Sequence, residues 1–179
     1  MKQHLTLFVF FISMVGFSQM KYLTKSGMLN FEASVETFEE IKATNSNVTA
    51  VFNASNGQFA ALALVKGFRF KNALMEEHFN ENYAESDEFP KAIFKGQLKD
   101  FSLEKIQKTY NISGTLSFHG VTQPIENLSV EVVTSENTFH FKGSFEIAPN
   151  DFDIEIPSIV RSKIADRVSV IFDFELIKK

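Results

Sequence analysis

The sequence predicts an all-β fold with one or two short helices, closed as an antiparallel barrel, and three observations carry that expectation. Between Tyr110 and His119, Tyr110, Ile112, Gly114, Leu116 and Phe118 alternate with Asn111, Ser113, Thr115, Ser117 and His119. A period of two marks a strand with one wet and one buried face. Similar runs recur at even spacing with turn residues between them, as in antiparallel sandwiches and barrels. The buried faces are aromatic, since the chain has 21 phenylalanines against 3 tyrosines and no tryptophan. A barrel is preferred to a sandwich because closure removes the edges that an exposed Phe-rich sheet would offer for aggregation.

Taken in order, Met28–Ser34 reads as a short strand, and Val35, Phe38 and Ile41 then fall at spacings closer to a turn or short helix. Val48, Ala50 and Phe52 alternate again, and Asn56-Gly57 is a strong hairpin dipeptide. The next segment is apolar on both faces up to Val65, which predicts a strand covered twice, with a helix outside it. Asn72 is the expected cap of that helix, which runs on through Tyr83 until Phe89-Pro90 breaks it. Strand alternation returns in 92–98, 110–119, 125–133, 139–148 and 168–177, with His119-Gly120-Val121-Thr122 as a Gly-centred hairpin turn. In the run that starts at Phe139, Phe141 and Phe145 share one face with Phe139, while His140, Lys142 and Glu146 face water.

At 179 residues the chain suits one domain with a substantial core. Residues 1–18 read as an export signal: Lys2 supplies a basic start, Leu5–Val15 is nearly unbroken apolar chain, and Gly16-Phe17-Ser18 ends on small residues suited to cleavage. Residues 19–179 then form a single domain, periplasmic or secreted. The sequence has no cysteine, hence no disulfide, no thiolate nucleophile and no acceptor for a lipoprotein anchor, so no permanent membrane anchor is expected. The net charge of −4, without a basic stripe, argues against a nucleic-acid partner.

Three stretches together resemble the YceI-like family. They are the apolar strand, helix and Phe-Pro element of 68–96, with Met75, His78, Phe79, Phe89, Pro90 and Phe94; GTLSFHGVTQPI at 114–125; and NDFDI at 150–154, similar to the family's D-F-G-I. The resemblance implies a lipocalin-like barrel that holds a polyisoprenoid or another long-chain lipid. Nothing between Gln19 and Met28 matches the family's opening motif, which predicts a smaller variant lacking one or two opening strands. The family's usual arginine is replaced by Pro149 and the glycine of D-F-G-I by Asp153.

Rows of Phe at strand spacing are plain core in most proteins. The resemblance turns them into a candidate ligand wall: Phe59, Leu62, Phe68, Phe70 and Phe94, then Leu116, Phe118, Phe139, Phe141, Phe145, Phe172 and Phe174. Small residues such as Gly96, Gly114, Gly143, Ala61 and Ala63 are expected to leave room for a chain beside them. The alternative is a stress-associated or interaction module with a self-filled barrel and no ligand. No cofactor is expected and the oligomeric state stays open.

Catalytic and metal readings are weaker. His78 with Glu77 and Glu81 offers three ligands on one short helix, which rarely converge, so a solvated helix face is expected. His119 with Ser117 invites a triad, but no nucleophile elbow or acid partner accompanies it. It is read as a turn residue bonding nearby backbone, and His140 as facing water. With no nucleophile and base, no metal cluster and no phosphate loop, the chain is expected not to be an enzyme.

Overall fold

The computed structural model describes residues 20–35 and 38–179; the expected export signal lies outside them. The strands are β1 (Lys21–Ser34), β2 (Lys42–Asn53), β3 (Gln58–Leu64), β4 (Arg69–Phe70), β5 (Lys91–Leu98), β6 (Thr109–Phe118), β7 (Val121–Thr134), β8 (Thr138–Ile147) and β9 (Ile164–Lys178). Two short helices join them, α1 (Ala73–His78), which continues as a wider turn through Phe79–Tyr83, and α2 (Ser158–Arg161). Every long strand pairs antiparallel with two neighbours, and β1 pairs with both β9 and β2. The result is a closed eight-stranded barrel, with β4 as a two-residue spur on β2.

The opening strands are therefore present, contrary to expectation. β1 is 14 residues long and begins at Lys21. Its period hides behind a bulge: Tyr22 and Thr24 are buried, then the buried positions shift to Gly27 and Ala33 across Lys25-Ser26, where Thr24 Oγ1 accepts from the Ser26 amide. β2 breaks its alternation in the same way. Ala43 and Asn45 are buried, Ser46 and Asn47 exposed, and Val48 starts the second register. Of the turn or short helix expected over 35–41, the turn is present, with the Phe38 amide bonded to the Val35 carbonyl at 2.9 Å; no helix forms there among the described residues, and Ile41 leads straight into β2.

The strands run alternately toward two different ends. At one end the β2–β3 turn, the 99–108 connection and the β7–β8 turn meet over a dense aromatic plug. There Phe52 meets Phe101 at 5.0 Å and Phe139 at 5.1 Å, and Tyr22 packs edge-on against Phe139 at 4.7 Å. At the other end lie the β1–β2 loop, the 65–90 segment with α1, the β6–β7 hairpin and the 148–163 connection with α2.

The helix does not lie outside β3, where Leu64 is 52% exposed; it lies at this second end. Asn72 caps it by accepting from the Leu74 amide at 2.9 Å. Glu76 ties it to β4, accepting from the Phe70 amide at 3.0 Å and from Arg69 Nη1 at 3.1 Å.

Candidate functional site

Between the aromatic plug and the second end the barrel encloses a cavity of about 380 Å³, within the range of ordinary small-molecule sites. Its wall is the inner face of the strands. Period two delivers Phe59, Ala61 and Ala63 from β3, Phe141 and Phe145 from β8, and Val168, Val170, Phe172 and Phe174 from β9. The loops of the second end complete it with Phe68, Met75, Phe79, Tyr83, Ile154, Ile156 and Val160. Among the described residues only His78, Tyr83 and Lys163 bring hydrogen-bonding side chains, and no carboxylate lines it.

One rim is an aromatic cluster in which Phe31 meets Phe68 at 5.2 Å, Phe70 at 5.6 Å and Phe79 at 5.2 Å. The other rim packs Phe152 and Ile154 against Leu116, Phe118, Phe145 and Ile147. Asp153 follows in the left-handed region at φ 55°, a conformation that explains why the resembling motif carries glycine at this position.

Of the residues expected to form a ligand wall, Phe59, Phe68, Phe70, Phe94, Leu116, Phe118, Phe141, Phe145, Phe172 and Phe174 line the cavity. Leu62 and Phe139 do not. Leu62 alternates out of the barrel opposite Thr49, and Phe139, 2% exposed, belongs to the aromatic plug. The glycines leave no room either. A Cβ on Gly143 would stand 2.5 Å from the Phe172 ring, and one on Gly114 would stand 2.1 Å from the Lys95 carbonyl. Close approach of rings and backbone uses that space, and the room comes from alanines such as Ala33, Ala61, Ala63 and Ala92.

Leu29, Phe31 and Ala33 also line the site and were legible as alternation within β1. Tyr83, Ile154, Ile156, Val160 and Lys163 were not, because they come from loops whose docking no local period reveals.

His119 occupies a two-residue hairpin with Gly120, both at positive φ (49° and 74°), the geometry of a type I′ turn. Its ring does not bond nearby backbone as expected. Nδ1 donates to the carbonyl of Phe152, 33 residues away, at 2.8 Å, and Nε2 is hydrogen-bonded to the Glu85 carboxyl group, also at 2.8 Å. Phe89 packs edge-on over the ring at 4.6 Å. His119 thus pins the segment after α1 and the β8–β9 connection to one hairpin.

His140 projects from the outer face and donates to Asp173, which also pairs with Lys142 at 3.0 Å. Burial acts to raise the Asp173 carboxyl, but hydrogen bonds from His140 and Lys142 outweigh it and hold the group below the usual carboxylate range. Among the described residues, no three of His, Asp or Glu stand close enough to hold a metal ion, and His78 lies at the cavity mouth instead.

A closed antiparallel barrel plugged at one end, with an apolar cavity opening at the other, defines a lipocalin-like architecture. The chain belongs to the YceI-like domain family, whose model matches residues 12–176. The fold is similar to that of a polyisoprenoid binding domain from Saccharophagus degradans, with a TM-score of 0.77 at 15% identity, covering 90% of this chain and 99% of that one. Burkholderia cenocepacia BcnA gives 0.70 at 16% identity over 84% of this chain and 95% of its own. The YCEI protein of Campylobacter jejuni gives 0.62 at 17% identity over 79% of this chain and 86% of its own. No curated protein matches the chain.

Proposed function

We propose that the protein binds the hydrocarbon chain of an isoprenoid or another long-chain amphiphile in the barrel lumen. The observation that carries this reading is the apolar cavity of about 380 Å³ above the aromatic plug. A self-filled barrel acting as a ligand-free interaction module would pack its lumen to interior density, and this lumen is not so packed. Each methylene transferred from water into such a wall contributes about 0.8 kcal/mol, so about ten outweigh the cost of ordering the chain. Family membership supports the reading, as does the description of the Saccharophagus degradans relative as polyisoprenoid binding.

Binding rather than catalysis suits a wall that, among the described residues, brings no carboxylate to the lumen and an imidazole, His119, committed to holding loops. The apolar run over Leu5–Val15 supports export, which would place the domain in the periplasm or outside the cell. Among the described residues no helix is long and apolar enough to cross a membrane.

Organic extraction of the purified protein followed by mass spectrometry tests the proposal. A long-chain lipid recovered in near-stoichiometric amount is the expected result. Repeated recovery of none, with no uptake of added isoprenoid quinone or fatty amide, overturns it.

A further inference from the structure

The mouth of the cavity carries a cation that has no counter-ion among the described residues. Lys163 lies where α2 runs into β9, and it lines the cavity beside Val160, whose carbonyl accepts from the Lys163 amide at 2.8 Å. Of the other cations at this end, Lys66 pairs with Asp87, Arg69 with Glu76 and Lys71 with Glu40, while Arg161 and Lys91, which make no ion pair among the described residues, do not line the cavity. Glu85 is held by His119. Among the described residues Lys163 makes no ion pair and no side-chain hydrogen bond. Among the described residues it is the only cation of fixed charge on a lining otherwise apolar except for Tyr83 and His78.

A lysine stem can lie along an apolar wall with its ammonium at the water boundary, where the polar end of a seated chain would emerge. From this geometry we infer that the ligand is a single-chain amphiphile with an anionic head group of the carboxylate type, received by Lys163. The inference rests on the proposed occupation of the lumen by a hydrocarbon chain. A neutral head gains little from an unpaired ammonium, whereas a carboxylate gains a charge-assisted hydrogen bond. A volume of about 380 Å³, near the lower end of the range for ligand sites, suits one chain rather than the two of a phospholipid.

The test is competition of palmitate, palmityl alcohol and hexadecylamine against a fluorescent chain probe, on the wild type, K163Q and K163E, at a pH where the acid is ionised. Because Lys163 is exposed, the expected effects are moderate: palmitate weakens about threefold in K163Q and about tenfold in K163E. Palmityl alcohol is unchanged in both, and hexadecylamine binds more tightly to K163E. Thermal unfolding checks that both variants fold. Equal responses of palmitate and the alcohol, or no response of palmitate, overturn the head-group assignment and leave the lumen reading standing. If the wild type binds neither the probe nor any of the three, the lumen reading falls and the assignment falls with it.

Discussion

The ring of Phe52 meets that of Phe141 edge-on at 4.9 Å, and the floor of the cavity lies at that contact. Phe141 lines the lumen, while Phe52, fully buried, belongs to the plug beneath it with Phe139 and Phe101. One strand, β8, therefore contributes to both compartments with three rings on one face: Phe139 in the plug, Phe141 at the floor and Phe145 toward the mouth.

Truncations along β8 should consequently have different effects. Phe139→Ala leaves a void among rigid rings and is expected to cost about 3–5 kcal/mol in urea unfolding. Phe145→Ala, on a half-buried ring facing the cavity, is expected to cost clearly less and to change the length or occupancy of bound lipid instead. Equal costs with unaltered lipid content would make the cavity wall ordinary core.

Replacing His119 by alanine should loosen the second end of the barrel without unfolding the strands. It removes both ring hydrogen bonds and leaves the Phe152 carbonyl without its partner, a loss of about 1–3 kcal/mol by chemical denaturation. Amide exchange should speed up over 84–90 and 149–156 while the plug end stays protected. An unchanged exchange pattern there would show that the ring does not hold these segments.

Most of the barrel was legible in the sequence because five of its long strands keep period two throughout, and β7 changes its buried face only once, between Ile125 and Leu128. β1 and β2 were foreshortened because a bulge in each shifts the buried face by one residue, so that Tyr22 and Leu29, or Asn45 and Val48, do not share a parity although each pair belongs to one strand. The wall itself could be read from alternation, as Phe59, Phe141 and Phe172 illustrate. The mouth could not. Lys163, Tyr83 and Ile154 sit on connections, and long-range bonds such as those of His119, Glu76 and Gln123 fix where those connections dock.

The outer face offers a pH test. The Asp173 carboxyl is held below its ordinary value of 3.8 by His140 and Lys142 against the opposing effect of burial, so its contribution is a depressed-pKa one. Such stability is present above the ordinary value and is lost as pH falls through it toward the depressed one. Asp173→Asn should therefore be less stable than the wild type at neutral pH, with the gap closing as pH falls below about 3.8. A gap that persists unchanged in acid would assign the loss to packing rather than charge.

The central claim, that a hydrocarbon chain occupies the lumen, is tested most directly by titrating palmitate into the wild type and into Ala61→Phe, with native mass spectrometry to count bound chains. Ala61 lines the cavity from β3, so a phenyl group there takes up part of the free space. One chain bound per wild-type molecule, and loss of most binding in a variant that still unfolds cooperatively, is the predicted result. Undiminished binding by Ala61→Phe would place the chain outside the barrel and contradict the account.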